Sequence, residues 1–364
     1  MRIAQIAPPW ITLPPKNYGG TESVISNLVE ELVAQGHDVT LFAPGDTRTS
    51  AKLVSFFPNS LLQEKVEWSM HLKAFYHLQK ALEQVRAHQF DIVHTHLSSS
   101  SDLYLFPLTA PLTIPHVTTL HSNFPFDRGP GGRFGDADRY YMDWAPCVPI
   151  VAISESARAQ EKLPLHFVGV VHNGIEMSQF PPPKKKRGDY LVWLGRFVPE
   201  KGPHLAIEAA KQAHVPLVLA GTIDRYVKAS MAYFQEQIKP QIDKEQIKYI
   251  GPVNVKQKVR LLSRARGFLN PIEWEEPFGM VMIEAMALGC PVISFARGAA
   301  PEIMVHGKTG FLVKNVDEMI QSIPGIDEIN QETTRLYVER NFSARVMAEK
   351  YTQIYEKVIR SRVL

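Results

Sequence analysis

The chain of 364 residues contains only two cysteines, Cys147 and Cys290, which is too few for a disulfide framework or a cysteine-based metal cluster. It also lacks any uncharged run of about 18 apolar residues, so no transmembrane helix is predicted. The opening MRIAQIAPPW is too short for the apolar core and cleavage site of a secretory signal, and it predicts a first β-strand instead. From these absences we expect a cytoplasmic protein.

A strong excess of one charge is also missing. The chain has 40 Lys and Arg against 37 Asp and Glu, a net charge of +3. A nucleic-acid-binding protein would show a stronger, clustered basic surface, so no nucleic-acid partner is expected. Residues 1–180 are mildly acidic and the remainder mildly basic, which suits a small anionic ligand in the second half. The run KKKR (184–187) is interpreted as a solvated linker, with contact to a membrane surface as the alternative, so membrane contact is at most peripheral.

What the sequence does contain is a repeated alternation of strand and helix patterns. The strand RIAQIAP is followed by a helix that ends at Gly36, and then by the strand HDVTLFAP. This helix has an apolar stripe at helical spacing, formed by Val24, Ile25, Leu28, Val29, Leu32 and Val33. A strand–helix–strand unit of this kind predicts a right-handed crossover in a parallel sheet.

The alternation is interrupted once, at the proline-rich and charged segment FPPPKKKRGD (180–189), and restarts with YLVWLGRF. We therefore predict an α/β protein of two doubly wound, Rossmann-like domains facing a central cleft, residues 1–180 and residues from 181 onward. Ligands of such sheets bind at the carboxyl ends of the strands, so the functional residues are expected just after strands.

The first candidate is the loop NYGGTES, between the first strand and the first helix. Gly19 and Gly20 let backbone N–H groups approach a ligand closely, and the helix N-terminus behind them favours an anion. The loop lacks the G-x-G-x-x-G pattern of dinucleotide-binding folds. The alternative interpretation is a simple tight turn.

The second candidate is the turn in WLGRFVPEKGPHLAIEA (193–209). Arg196 leaves a strand end and Lys201 lies at the start of a helix, so the two cations can grip one diphosphate from two sides. The alternative is a set of surface salt bridges that involves Glu200.

The third candidate is WEEPFGMVMIEAMALG (274–289), an apolar helix with two carboxylates. Pro277 suits the first helical position, which puts Glu276 at or just before the N-cap and leaves free N–H groups on the next three residues, Phe278, Gly279 and Met280. Glu284 then falls about two turns into the helix, where a ribose diol is a suitable partner. Alternatively, Glu284 is a core carboxylate that the backbone or an Arg satisfies.

Histidines end two predicted strands of the first half: His94 and His96 in DIVHTH, and His121 in HVTTLH. Such side chains can donate hydrogen bonds to a sugar hydroxyl or a phosphate, although a histidine at a strand end is more often structural. Neither the H-x-H pattern nor Cys147 predicts a metal site.

Together these motifs resemble the GT-B-fold, family 4 retaining glycosyltransferases (glycosyltransferase group 1). The resemblance extends over the whole chain, and its most specific part is the family's E-x7-E motif, formed by Glu276 and Glu284 with PFG between them. It also includes GGTES, DIVHTH, TLH, VHNGIE, GRFVPEKG and GAAPEIMVHGKTGFLV. In VHNGIE, Asn173 matches the family's P-N-G turn, with His172 in place of the usual proline.

The resemblance implies a donor-binding set and a catalytic set. The donor, a nucleoside-diphosphate sugar, would contact Gly19, Gly20, Arg196, Lys201, Val253, Glu276, Phe278, Gly279, Met280, Val281 and Glu284. The catalytic set would be Glu276, which orients the sugar, His121, which contacts it, and Arg196 and Lys201, which neutralise the diphosphate. The final helix, about 345–364, would return to the first, acceptor-side domain, so that 181–344 forms the nucleotide-sugar domain.

The implied activity is a retaining, metal-independent transfer of a sugar, as by a hexosyltransferase, from the nucleotide sugar to a hydroxyl acceptor. No cofactor would be required. The acceptor is unknown. A glycine- and aromatic-rich segment, 121–144, is a candidate acceptor loop, and the alternative is an ordinary long loop. A nucleotide-sugar 2-epimerase and a retaining sugar phosphorylase are alternatives on the same fold.

Overall fold

The first strand and helix follow the apolar spacing of the sequence. Strand β1 (Arg2–Ile6) is buried from its second residue onward, and helix α1 (Gly20–Ala34) buries the stripe from Val24 to Leu32. Gly36, at φ 85°, ends the turn into β2 (Asp38–Phe42), and the two strands pair in parallel. This is the predicted strand–helix–strand unit.

The structure, a computed structural model, describes residues 1–16, 19–68, 70–98, 102, 104–122, 137–161, 163–183, 187–223 and 227–361. Most of the candidate acceptor loop, 123–136, and residues 184–186 of the interpreted linker lie outside the described residues. Side chains are described from Tyr140 onward after that loop.

The described part of the first unit contains a seven-stranded, wholly parallel sheet in the order β3-β2-β1-β4-β5-β6-β7. Its further elements are β3 (Lys52–Val54), α2 (His71–Ala87), β4 (Ile92–Leu97), α3 (Leu105–Thr109), β5 (His116–Leu120), β6 (Ile150–Ala152), α4 (Glu155–Ala159) and β7 (Phe167–Val170). Strands β4, β5 and β6 are buried throughout, as expected for a sheet covered on both faces. The strand order reverses between β1 and β4, which is the switch point of a doubly wound sheet.

The second unit contains a six-stranded parallel sheet among the residues described there, in the order β10-β9-β8-β11-β12-β13. Its elements are β8 (Leu191–Arg196), α5 (Pro203–Gln212), β9 (Leu217–Thr222), α6 (Lys228–Tyr233), β10 (Ile247–Tyr249), α7 (Val255–Leu262), β11 (Gly267–Asn270), α8 (Met280–Ala287), β12 (Val292–Phe295), α9 (Ala300–Ile303), β13 (Gly310–Val313), α10 (Val316–Ser322) and α11 (Gln331–Phe342). Trp193 and Phe197 anchor its core. Here the order reverses between β8 and β11.

The last helix, α12 (Ala344–Ser361), belongs to the first unit. It begins where the N–H of Ala344 donates to the carbonyl of Ile175, at 2.8 Å. Buried tyrosines on α12, Tyr351 and Tyr355, hydrogen-bond to side chains of β1, β4 and β5. The two α/β units confirm the predicted fold class.

The chain passes between units at 175/176 and 343/344, whereas the sequence analysis placed these boundaries at 180/181 and 344/345. The first difference has a local cause. Phe180 is buried, and its carbonyl accepts a hydrogen bond from Arg335 of the second unit. The chain therefore joins the second unit before its composition becomes proline- and lysine-rich.

In the described part of the chain, no helix combines the length and apolar character needed to cross a bilayer.

Candidate functional site

Helix α8 begins later than the sequence analysis predicted. Gly279, at φ 92°, is its N-cap, and Met280 is its first residue. Pro277 is therefore not at the first helical position, and Glu276 lies three residues before the cap. The left-handed conformation of Gly279 sets the start, because glycine adopts it without steric penalty. Glu284 is consequently the fifth residue of α8, just over one turn in, and not two turns in.

The N-terminus of α8 presents unused backbone donors. Within the described chain, the N–H groups of Gly279, Met280 and Val281 donate to no acceptor. Together with the helix dipole, these groups favour an anion. Phe278 has a different environment, since its side chain is buried and packs edge-on against Phe342 at 6.1 Å between ring centroids.

Glu276 is held by two side chains. Lys201 forms an ion pair with Oε2, and the indole N–H of Trp274 donates to the same oxygen at 2.9 Å. The ammonium group of Lys201 also lies 5.1 Å from the centroid of the Trp274 ring. The pair is largely shielded, with 22% of the Lys201 side chain and 15% of the Glu276 side chain exposed. The partner of Lys201 is therefore Glu276, and not Glu200 as the salt-bridge alternative supposed.

The backbone at Glu276 is fixed by the loop that follows β12. Gly298 has φ 55°, and a Cβ at this position would lie 2.4 Å from both the N and the O of Glu276. The next residue, Ala299, donates its N–H to the carbonyl of Glu276 at 3.0 Å. Only glycine allows this close approach. The segment GAAPE (298–302) therefore fixes the backbone position of Glu276.

Glu284 is held on one side only. Nζ of Lys258 lies 2.5 Å from Oε1, whereas Oε2 is buried and has no hydrogen-bond partner in the described residues. Lys258 is placed by α7, which begins with a capping box between Asn254 and Gln257. The alternative of a core carboxylate satisfied by the backbone or an Arg is not what the structure shows. An unpaired buried carboxylate oxygen is energetically unfavourable, so this oxygen still needs a hydrogen-bond donor.

Arg196 ends β8 and is exposed. In the described part of the chain it forms no ion pair, unlike Lys201. The structure thus brings Lys201 and Lys258 to the two glutamates and leaves Arg196 available. Lys258 and Trp274 were missed by the sequence analysis.

Val253 lies in the short turn between β10 and α7, two residues after Gly251, which has φ 80°. Neither main-chain group of Val253 is hydrogen-bonded to a described residue, and its side chain is half-buried. The N–H and C=O groups of Val253 are therefore available to hydrogen-bond to the edge of a planar ligand. Lys258 follows within the same turn-and-helix segment.

In the first unit, the space around the α-carbon differs between Gly19 and Gly20. A Cβ on Gly19 would lie 2.8 Å from Cβ of Pro15 and 2.9 Å from Oε2 of Glu22, so packing excludes a side chain. Around Gly20, the first residue of α1, there is open space. Glu22 is buried beside this loop, and that burial raises the pKa of its carboxyl to about 7.

The three candidate histidines separate into two kinds. His94 and His96 lie inside β4 and are fully buried, which agrees with the structural interpretation. His121 follows β5, is half-buried, and is hydrogen-bonded through Nε2 to Nδ1 of His96 at 3.0 Å. Burial lowers the pKa of His121 to about 3, so its ring is neutral near pH 7. Across the described residues, no three His, Cys, Asp or Glu side chains are arranged to hold a metal ion.

Comparison with known proteins matches both units. Residues 18–179 match the family described as Glycosyltransferase Family 4, and residues 175–356 match the family described as Glycosyl transferases group 1. Spore coat protein SA of Bacillus subtilis (strain 168) is 23% identical over 401 residues, covering 98% of this chain and 100% of that protein.

Solved structures share the fold. Sucrose-phosphate synthase from Thermosynechococcus elongatus has a TM-score of 0.78 at 18% identity, covering 99% of this chain and 100% of that one. HepE of Anabaena, solved in complex with UDP and glucose, has a TM-score of 0.67 at 18% identity, covering 98% and 100%. The two α/β units, the paired glutamates and the two family matches agree: the chain belongs to the group 1 glycosyltransferases of the GT-B fold.

Proposed function

We propose that this glycosyltransferase transfers a sugar from a nucleoside-diphosphate sugar to a hydroxyl acceptor, with retention of configuration and without a metal ion. The observation that carries the proposal is the unpartnered, buried Oε2 of Glu284 beside the Lys258 ion pair. A ribose hydroxyl can donate to this oxygen without displacing Lys258 from Oε1. The ligand would then supply the missing hydrogen bond.

The other groups of the second unit fit the rest of such a donor. The free N–H groups of Gly279, Met280 and Val281 suit phosphate oxygens, and the main chain of Val253 suits the edge of a base. Glu276 would accept from hydroxyls of the donor sugar. UDP is the first nucleotide to test, because the similar fold of HepE was solved with UDP and glucose.

Charge develops on the diphosphate as the glycosidic bond to it breaks. Arg196 has no competing ion pair among the described residues, so its guanidinium can donate hydrogen bonds to two phosphate oxygens at once. Lys201 carries three N–H donors, so it can keep Glu276 and bind a phosphate oxygen at the same time. These groups would stabilise the leaving nucleoside diphosphate electrostatically, which is the task that a divalent ion performs elsewhere.

For retention, we propose attack of the acceptor hydroxyl on the face that the diphosphate leaves. The bond from the anomeric carbon to the diphosphate oxygen breaks, the bond to the acceptor oxygen forms, and the departing phosphate accepts the proton of the acceptor. In this route Glu276 orients the sugar, with its Oε2 held by Lys201 and Trp274, and does not act as the nucleophile. Gly20 and His121 of the first unit are proposed as further donor contacts.

The test is a thermal-shift and calorimetry panel of UDP, GDP, ADP and UDP-glucose, with and without EDTA. Binding raises the unfolding temperature because the ligand stabilises only the folded state. One nucleotide should stabilise the protein equally in EDTA. A nucleotide that binds only after Mg²⁺ or Mn²⁺ is added would contradict the metal-free proposal, and no binding by any of them would contradict the donor class.

Two products would identify the alternatives. With nucleotide sugar alone, an epimeric nucleotide sugar seen by NMR would indicate a 2-epimerase. Cleavage of a disaccharide by inorganic phosphate without a nucleotide would indicate a phosphorylase. For a transferase, an NMR spectrum of the product formed with a hydroxyl acceptor should show the anomeric configuration of the donor.

A further inference from the structure

A continuous chain of hydrogen bonds runs through the interior of the first unit, which we call the Gln5 network. Its members come from β1, β4, β5, the residue after β5, and α12: Gln5, His94, His96, Thr119, His121, Tyr351 and Tyr355. All of them except the half-buried His121 are 1% exposed or less. Buried polar groups of this kind are arranged by their hydrogen bonds, so the position of each proton can be followed from atom to atom.

With Oε1 of Gln5 oriented toward His96, the arm from Gln5 to His121 has one proton arrangement. Oε1 of Gln5 lies 2.9 Å from Nε2 of His96, and an amide oxygen can only accept, so this nitrogen carries the proton. Burial lowers the pKa of His96 well below its usual value, which makes the ring neutral and leaves Nδ1 with a lone pair. Nδ1 therefore accepts from Nε2 of His121, at 3.0 Å.

The proton arrangement of the other arm follows from the same orientation of the amide. Nε2 of Gln5 donates to the hydroxyl of Tyr355 at 3.0 Å, and that hydroxyl donates to Nδ1 of His94 at 2.7 Å. Nε2 of His94 is then the protonated nitrogen and donates to the hydroxyl of Thr119 at 2.7 Å. One carboxamide thus fixes the tautomers of three histidines.

We propose that Gln5 and His96 are positioning residues that hold His121 as its Nε2–H tautomer, so that Nδ1 faces its ligand as a hydrogen-bond acceptor. Nδ1 of His121 has no partner among the described residues, and its side chain is only half-buried. The identity of that ligand, a hydroxyl group of the donor sugar, rests on the proposed function.

This assignment changes what His121 does. A neutral ring that accepts at Nδ1 orients a sugar hydroxyl by accepting a hydrogen bond from it. It offers the sugar neither a positive charge nor a hydrogen-bond donor. Its lone pair directs negative potential toward the sugar, where positive charge develops as the leaving group departs. This role differs from that of a hydrogen-bond donor, which the position of His121 after a predicted strand suggested.

The tautomer is measured in the free protein by two-bond ¹H–¹⁵N correlation of the histidine rings, with His121→Asn used to assign the signals. We expect Nε2 of His121 to be the protonated nitrogen and Nδ1 the unprotonated one from pH 6 to 8. Gln5→Met removes the acceptor of His96 and should change or average the His121 tautomer. Tyr355→Phe is the matched control, since it removes the two hydrogen bonds that the Tyr355 hydroxyl makes in the other arm and should leave His121 unchanged.

Protonation of His121 at Nδ1 in the unaltered protein would overturn the proposal, and so would a Gln5→Met spectrum with an unchanged His121 ring. Since the first measurement does not use Gln5→Met, poor folding of that variant would still leave the proposal testable.

The functional part is tested with UDP and UDP-glucose as probes. Gln5→Met should hydrolyse UDP-glucose roughly 10-fold more slowly, which corresponds to one neutral hydrogen bond to the sugar, while its affinity for UDP stays within about twofold. An equal loss of UDP affinity would indicate general structural damage and contradict a positioning role. If the unaltered protein neither binds UDP nor hydrolyses UDP-glucose, that donor is wrong, whereas the tautomer result stands separately.

Discussion

Nζ of Lys258 lies 2.5 Å from one oxygen of Glu284, and the other oxygen of that carboxylate is buried without a partner in the described chain. Lys258 therefore stabilises the carboxylate without satisfying it completely.

Lys258→Met should lower the free energy of unfolding by about 3 kcal/mol, because it leaves a buried carboxylate without its counter-ion. Urea unfolding at pH 7.5 measures this loss, and the double variant Lys258→Met/Glu284→Gln should recover most of it. Arg345→Met is the control, because Arg345 pairs with Glu349 on the surface and its loss should change the stability by less than about 0.5 kcal/mol. Equal losses of stability in Lys258→Met and Arg345→Met would show that the Lys258–Glu284 pair contributes no more to the free energy of unfolding than a surface ion pair.

Glu284→Ala should weaken the binding of UDP, measured by isothermal titration calorimetry, by about 10- to 100-fold. This is the loss expected for a hydrogen bond from a ribose hydroxyl to a charged acceptor. Glu208→Ala removes an exposed carboxylate from α5 and should leave the affinity unchanged. Unaltered affinity in Glu284→Ala would rule out the ribose contact.

Arg196→Ala and Lys201→Ala should separate catalysis from stability. Arg196 is exposed and forms no ion pair with a described residue, so its substitution should lower kcat/KM roughly 100-fold without changing the urea midpoint. Lys201→Ala should lower both quantities, because it also removes the partner of Glu276. If the double variant Arg196→Ala/Lys201→Ala kept near-normal turnover, the proposed contact of these two cations with the diphosphate would be wrong.

Glu22→Gln should stabilise the protein at neutral and alkaline pH. The pKa of Glu22 is raised by burial from 4.5 to about 7, so the folded state binds more protons than the unfolded state within that interval. Its contribution to stability is therefore favourable below about pH 4.5 and declines as the pH rises toward 7, reaching roughly 3 kcal/mol of destabilisation above it.

Urea unfolding at several pH values from 5 to 8 checks this sign. The stability gained by Glu22→Gln should grow with pH and level off above about 7. Glu31→Gln, in the same helix but not buried, serves as the control. A gain that is constant over the whole pH range would show that Glu22 does not titrate in this interval.

The sequence predicted the parts of the molecule that depend on spacing along the chain. The apolar stripe of α1 specifies that helix, and the E-x7-E spacing brings Glu276 and Glu284 to one helix start. The predicted start of α8 was wrong. It was based on Pro277, because proline is common at the first helical position, but the left-handed Gly279 sets the actual start.

The rest depends on sheet order, which spacing does not encode. Lys258 is 26 positions from Glu284, and the two meet because α7 and α8 follow separate strands of one sheet. Gln5 and Tyr355 are 350 positions apart, so no local pattern could indicate their hydrogen bond. The histidine motif DIVHTH was visible, but its proton arrangement required partners from both ends of the chain.

The position of α12 has a consequence for synthesis. The first unit needs its last segment, because Tyr351 and Tyr355 complete hydrogen bonds to β1, β4 and β5. The second unit, residues 176–343, is one uninterrupted stretch that emerges from the ribosome before α12 does. Since domains generally fold as units during translation, the second unit can fold first. The hydrogen bonds of Gln5, His94 and Thr119 to Tyr355 and Tyr351 form only when α12 is available.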